Sequence, residues 1–592
     1  MPTYKAPLRD MRFALFELND GDTLAQLPGM ENFTRDLIDP ILEEAAKLCE
    51  NVLQPINRSG DEEGCTFENG VVRTPKGFKE AYNLFREGGW TSVASDPAYG
   101  GQGMPKSVNI FLDEMVCSAN LSFGMYPGLT HGAYKAIHAY ASEDLKQKFL
   151  PKMVDGTWGG TMCLTEAHCG TDLGLMRTKA VPQDDGAYKI SGTKIFISSG
   201  EHDLTENNIH LVLAKLPDAP KGVKGISLFL VPKFLPKADG SLGARNGVAC
   251  ASIEHKMGIK ASATCVLNFD GATGWLVGEP HKGMRAMFAM MNTARLAVGI
   301  QGLGVAEAAY QGAVAYAKER LQGRALSGTK YPDKPADPLI VHPDIRRMLL
   351  TQRAWIEGCR ALAVWAGKTL DESMHNSDAA AREKADDFIA VITPVIKALL
   401  TDMAFDVTNL GMQVFGGHGY IRETGMEQFV RDARITQIYE GTNGVQALDL
   451  VGRKMPAHAG RYLRQVFHPI SAYIERTIDK EGMAEFVEPL AKVFGRLQQA
   501  TAQVARAGMA RPDEAGAAAT DYLRLMGFTL LAYQWALMAE ISLPKQNEDG
   551  FYKAKVSTAR FFMERILPEA TAHFQAIMAG GKTMMTFEDA SF

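Results

Sequence analysis

The spacing of apolar residues changes twice along the chain. From Phe33 to about Leu150 it is helical: Ile38, Ile41, Leu42, Ala45, Ala46 and Leu48 fall on one stripe, as expected of helices with one buried side. From about Thr161 the pattern turns to short alternating runs. Residues 188–200, 210–215, 225–232 and 264–269 read as strands separated by Gly, Pro and Asp, a texture that lasts to about Pro280. From Gly283 helical spacing returns, through 284–320, from His342 through Leu370, over 379–414, and over about 460–478, 484–508, 515–541 and 549–578. Residues 332–338 form a loop rich in Pro and Asp, longer than a bundle connection usually is. The first 35 residues read as an irregular arm and 580–592 as a polar tail. The expected fold is mostly α with a central β domain. It comprises an arm (1–35), an N-terminal helical domain (36–160), an antiparallel barrel or sandwich (161–282), a C-terminal four-helix bundle domain (283–455) and an appended helical domain (456–592).

A chain of 592 residues is too long for one core. With 63 Lys and Arg against 68 Asp and Glu, it has no basic footprint, and a nucleic-acid partner is not expected. The eight cysteines make no C-x-x-C pair and no zinc spacing, so no metal is expected. Reduced thiols suggest a cytoplasmic protein. The N-terminus has charges and prolines where a signal peptide has an apolar run. The most apolar helical stretch, 528–543, is interrupted by Gln534 and Glu540 and is shorter than the roughly 20 residues that span a bilayer. The amphipathic helices after 455 ordinarily pack, so membrane association is not expected.

Several stretches carry candidate chemistry. Gly100, Gly101 and Gly103 cluster in 98–105 but follow no clear strand and open no helix, against a dinucleotide site. In Tyr439-Glu440-Gly441-Thr442-Asn443-Gly444 one carboxylate stands before glycines that admit a close ligand or φ > 0. Desolvated beside an aromatic ring, it suits a general base. It also reads as a surface acid ending a helix with Gly441 as C-cap, and the residues alone favour that. Thr165 to Asp172 reads equally as a tight turn, Gly192 to Ser198 as a half-buried strand, and Arg320 as a solvated charge. The run Gln413-Val414-Phe415-Gly416-Gly417-His418-Gly419-Tyr420 serves no helix and reads as a turn or a ligand loop.

Together and in this order, layout and motifs resemble the flavin-dependent acyl-CoA dehydrogenase family over roughly 35–455. The extra helices resemble those of its larger members, and the whole chain resembles the large bacterial group that includes the 3-methylmercaptopropionyl-CoA dehydrogenases. Cys163-Leu164-Thr165-Glu166-Ala167-His168-Cys169-Gly170-Thr171-Asp172 resembles the family's T-E-P-G-A-G-S-D loop, with Ala167, His168 and Cys169 replacing Pro, Gly and Ala, and Thr171 replacing Ser. Gly192 to Ser198 resembles G-x-K-x-W/F-I-T/S, Gln413 to Tyr420 resembles Q-x-F/L-G-G-x-G-F/Y, and 439–442 matches Y-E-G-T. Residues 256–264 resemble the strand beside the CoA cleft.

The resemblance implies an FAD cofactor contacted by Cys163, Thr165, Gly170, Thr171, Phe196, Ile197, Ser198, Arg320, His342, Gln413, Gly416, Gly417, Thr442 and Asn443. Phe196 would stack on the flavin, and Arg320 suits its pyrophosphate. It implies Glu440 as the base that removes the α-proton. Ala294, which cannot accept a proton, fills the other position where some members carry this base. Thr171, Asn292, Arg295 and Gly441 would meet the acyl-CoA, and 123–131 would lie near the acyl pocket. The reaction would be α,β-desaturation, with β-hydride passing to the flavin and electrons to an electron-transfer flavoprotein. FAD shared across subunits implies a homodimer. The substrate would be a medium- or long-chain acyl-CoA or 3-(methylthio)propanoyl-CoA. An acyl-CoA oxidase using O₂ and a non-catalytic acyl-CoA-binding protein are the alternatives.

Overall fold

The computed structural model describes residues 2–592, which form two compact units, one of 45–104 with 119–297, the other of the residues up to Glu44 with 105–118 and 298–592.

The first unit is built on a sheet. Its strands are β1 (Trp158–Cys163), β2 (Lys179–Pro182), β3 (Tyr188–Ser198), β4 (Asn207–Lys215), β5 (Ile226–Pro232), β6 (Val248–Ile253) and β7 (Thr264–Val277). They run in the order β6-β7-β3-β2-β4-β1, and β5 pairs with both β7 and β4, so β7-β3-β2-β4-β5 closes into a ring. The barrel expectation needs one correction: the sheet is not purely antiparallel. β1 and β4 run parallel from Trp158↔Asn207 to Cys163↔Val212, and β2 meets β4 in parallel at Lys179↔Lys215. More than 40 residues separate β1 from β4, room for the crossover a parallel pair requires. β4 is buried at every position but its last, and β5 throughout, so neither shows the alternation of a half-exposed strand. Period two survives in what each face meets. Ile209, Leu211 and Leu213 join Trp158, Phe149 and Met287, while Val212 and Ala214 join Phe229, Val231 and Leu267.

The long helix α1 (Lys106–Tyr140) breaks at Asn120, whose φ is -163° and ψ 93°. The Asn120 side chain restarts it, Oδ1 accepting from Phe123 N–H at 3.0 Å, an N-cap inside an apolar run.

The second unit holds α2 (Gly283–Glu319) from Val298 onward, α3 (Pro343–His375), α4 (Ala379–Val414), α5 (Met426–Thr436), α6 (Asn443–Asp449), α7 (Arg461–Thr477), α8 (Ala484–Ala510), α9 (Pro512–Ser542) and α10 (Gly550–Phe561). The most apolar long helix is α4 and not the 528–543 stretch. Among the described residues only α4 is long and apolar enough to cross a membrane, and 78% of its most apolar window is buried inside the protein.

The arm is not irregular. Leu8–Arg12 and Phe13–Leu18 are helical turns, and Met11, Phe13 and Leu15 are fully buried. Asp10 accepts from Arg360 of α3 and Lys555 of α10. Burial of these side chains and that double ion pair order a segment too short to be helical alone.

Candidate active site

Helix α5 ends at Thr436 and α6 begins at Asn443, so Glu440 stands on a six-residue connection. The helix-end reading therefore fails, since Gly441 lies five residues beyond α5. Glu440 itself has φ +58° and Gly441 +82°. A left-handed conformation costs a non-glycine residue roughly 1–2 kcal/mol and persists only where its surroundings impose it. Gln446 Nε2 donates to the carbonyls of Glu440 and Gly441, each at 3.1 Å. Asn443 N–H donates to Gln437 O at 3.1 Å, and Thr442 Oγ1 accepts from Val445 N–H at 3.4 Å, capping α6. Tyr439 Oη donates to Gln301 Oε1 of α2 at 2.5 Å, and burial drives the Tyr439 hydroxyl pKa well above its ordinary value.

Asn443 spends both ends of its amide inside the bundle. Oδ1 accepts from Lys397 Nζ at 2.8 Å, and Nδ2 donates to Asp402 Oδ1 at 2.6 Å and Thr401 Oγ1 at 3.0 Å. Its side chain is thus committed to α4 rather than to a cofactor.

The 415–420 run follows α4. Phe415 stacks on Tyr316 with centroids 4.0 Å apart and planes 15° from parallel. Gly416 and Gly417 are exposed, and a Cβ on either would meet nothing within 4 Å. A Cβ on Gly419 would lie 2.3 Å from Met412 O. The first two glycines leave room for a ligand, and the third lets the chain turn. Gln413 and Tyr420 are exposed. Arg320 lies exposed just past the end of α2 and makes no ion pair among the described residues. His342 Nε2 pairs with Gln322 O at 2.7 Å, so that ring atom is engaged with the loop. The separate 322–338 stretch that follows α2 is organised by a residue that no motif marks. Asp337 accepts from Tyr331 N–H at 2.8 Å and Ala325 N–H at 2.9 Å. Burial pushes its carboxyl up, but these backbone donors outweigh it and hold the pKa at about 2.

In the barrel unit, Thr165 O accepts from Ile195 N–H at 2.9 Å, tying the 163–172 loop to β3. Glu166 N–H and Cys169 N–H bond each other's carbonyls, leaving Ala167, His168, Gly170, Thr171 and Asp172 exposed. Phe196 has φ +58° and is 60% exposed, at an irregularity in the β3–β7 register, a bulge that re-aims its ring outward. Ser198 is half-buried beside it. Two of the expected cofactor contacts could be made only through the backbone. Cys163 and Ile197 point into the barrel core, and burial pushes the Cys163 thiol up to about 12, so only their backbones are available to a ligand. Asn292 is exposed and Arg295 buried on α2.

Family models match four consecutive parts of the chain: acyl-CoA dehydrogenase N-terminal domain over 39–157, middle domain over 161–272 and C-terminal domain over 281–455, and an acetyl-CoA dehydrogenase C-terminal-like domain over 467–588. The chain is 43% identical over 595 residues to 3-methylmercaptopropionyl-CoA dehydrogenase of Ruegeria pomeroyi, covering 99% of both. Caenorhabditis elegans ACDH-11 in complex with C11-CoA shares the fold, with a TM-score of 0.77 over 96% of this chain and 92% of that one at 20% identity. The Bacillus anthracis acyl-CoA dehydrogenase complexed with FAD does so with a TM-score of 0.74 over 94% and 90% at 21% identity.

Proposed function

The chain belongs to the acyl-CoA dehydrogenase family, and on that premise we propose that Glu440 removes the α-proton of an acyl-CoA thioester as the β-hydride leaves. The protein is an FAD-dependent oxidoreductase acting on acyl-CoA. Its own residues fit the cofactor. Gly416 and Gly417 open onto free space, Arg320 offers an exposed guanidinium suited to a diphosphate, and Phe196 presents an exposed ring for stacking. When bound, FAD supplies the two-electron acceptor for the hydride.

The observation that carries the reading is the left-handed backbone of Glu440, whose carbonyl accepts from Gln446 and whose neighbour Tyr439 is tied to Gln301. Strain of this kind gathers at functional sites. The Glu440 N–H would donate to the thioester carbonyl as negative charge builds there, a contribution of roughly 3–4 kcal/mol to lowering the reaction barrier. Thr165, Thr171 and Ser198 would bond the flavin, and Asn292, Arg295 and Gly441 would meet the substrate. Among acyl groups, 3-(methylthio)propanoyl is the first to test, given the identity to the Ruegeria protein. Electron-transfer flavoprotein as acceptor, a homodimer and a cytoplasmic location complete the proposal.

Glu440→Gln should keep its FAD and yellow colour while turnover with an artificial acceptor falls by at least roughly 10²–10⁴-fold, the usual worth of a positioned base. Near-normal turnover would overturn the assignment.

A further inference from the structure

The connection that carries Glu440 is tied at both ends to one carboxylate. Gln437 Nε2 donates to Asp402 Oδ1 at 2.7 Å, and Asn443 Nδ2 donates to the same oxygen at 2.6 Å. The other oxygen, Oδ2, is held by Arg524 at 2.8 Å. Asp402 belongs to α4, whereas Arg524 belongs to α9 of the appended helices. The guanidinium is 24% exposed and the carboxylate 13%, so solvent screens this pair less than a surface one. We propose that Arg524 is a positioning residue for Glu440, and that the appended helices hold the base-bearing connection in place through it. The inference rests on the reading of Glu440 as the base.

The packing around Arg524 gives it a fixed anchor. α9 approaches α4 closely at Gly527, where a Cβ would lie 2.7 Å from Leu399 Cδ1. It also reaches α6 at Gly516, where a Cβ would lie 3.9 Å from Leu448 Cδ2. A side chain leaving α9 between these contacts has little freedom to retreat. Arg524 also balances charge. Burial pushes the nearby Asp406 carboxyl up and Asp402 pushes it further, while Arg524 opposes both. Without the cation, Asp402 would hold the connection with neutral donors alone, beside a second acid. Glu440 already sits in an unfavourable backbone region, so a brace that loosens releases it. Displacement of a catalytic group by about 1 Å can cost roughly a hundredfold in rate.

The test compares Arg524→Met, Arg524→Lys and Asp402→Asn in the full-length FAD-loaded enzyme, with Arg560→Met as control. Arg560 pairs with Glu485 at the surface of the appended helices, away from Asp402. For each variant, kcat, KM, FAD content and amide exchange of the 437–446 segment are measured. The expected result for Arg524→Met is a fall in kcat of roughly tenfold to a hundredfold, with KM and FAD content nearly unchanged and faster exchange in 437–446. Arg524→Lys restores most of kcat, and Arg560→Met changes neither readout. Unchanged exchange in 437–446, or a kcat loss that only tracks lost FAD, would overturn the proposal. If Arg524→Met does not fold, Asp402→Asn is read by the same criteria. Failure of the base assignment is separable, because it shows as turnover retained in Glu440→Gln whatever the exchange of 437–446.

Discussion

Lys194 Nζ donates to Glu166 Oε1 at 3.0 Å, with the ammonium fully shielded from solvent and the carboxylate 5% exposed. The pair fixes the 163–172 loop to β3, and its two members are unequally supported. Glu166 also accepts from Thr178 Oγ1 at 2.6 Å, Thr178 N–H at 3.0 Å and Arg177 N–H at 2.8 Å. The other acceptor for Lys194 is Leu164 O at 2.9 Å. Glu166→Gln therefore strands a buried ammonium and should destabilise by roughly 3–5 kcal/mol, whereas Lys194→Met leaves a carboxylate with three donors and should cost less. Burial lowers the Lys194 pKa. Above that lowered value the folded chain binds fewer protons than the unfolded one, so stability of Glu166→Gln should rise with pH towards the ordinary lysine range. Urea unfolding at pH 7 and 9 checks both statements.

His202 and His210 set an acid limit on the barrel. Burial first, and then the positive charge of Lys233, lower both imidazoles to about 3, while the unfolded chain protonates them near 6.5. Between those values the unfolded state holds the extra protons. Stability should fall as pH falls, by up to about 1.4 kcal/mol per pH unit for each histidine. His210, whose Nδ1 lies 2.8 Å from Thr161 Oγ1, is the one to change. The slope between pH 6 and 4 should halve in His210→Gln. Glu166 joins in below about pH 4.5. Burial raises its carboxyl, but the Lys194 charge and the Thr178 and Arg177 bonds hold it at about 2, so its contribution is lost as pH drops from about 4.5 to about 2.

Arg360 is the most heavily committed cation among the described residues. It lies buried among Asp10, Glu114 at 2.5 Å and Glu307 at 2.6 Å. Lys555 links Asp10 onward to Glu357 at 2.8 Å. The network joins the N-terminal arm, α1, α2, α3 and α10. Removing Arg360 would leave three buried carboxylates with only Lys555, on Asp10, to offset them, so Arg360→Met should lose at least roughly 3–5 kcal/mol. Lysine is a point charge without the planar fork, and Arg360→Lys should recover little of that. Asp10→Asn should be milder and local, seen as faster proteolysis within residues 8–18 before any change in the thermal midpoint.

What the sequence disclosed follows from the range of the forces involved. Helix limits such as 484–508, against the observed Ala484–Ala510, were legible because a 3.6-residue period is local. Glu440 stood out because glycines flank it. Asp402 did not, since an acid on a long, largely apolar helix looks ordinary and its amide partners are 35 and 41 residues away. The arm looked irregular for the same reason, as Asp10 meets Arg360 350 residues on. The break at Asn120 depends on a side chain capping its own helix, which periodicity overlooks. On β3 the strand's parity misled. Lys194 and Ile197 are both buried while Phe196 between them is exposed, an order only a bulge can produce.

That bulge separates stability from function at one residue. Phe196 holds φ +58°, which glycine adopts freely and phenylalanine does not. Being 60% exposed, its ring contributes little burial to lose. Phe196→Gly would relieve roughly 1–2 kcal/mol of backbone strain, against about 0.5–1 kcal/mol of added chain entropy and the small packing loss. The barrel should therefore unfold within about 1 kcal/mol of the parent. If the ring is there to stack on the flavin, the same variant should bind FAD several-fold more weakly and show a shifted flavin absorption band, since aromatic stacking of this kind is worth roughly 0.5–1.5 kcal/mol. Phe196→Trp should keep the band and the affinity. A glycine variant that lost stability and kept FAD would reverse the assignment, making Phe196 a packing residue and removing it from the cofactor site.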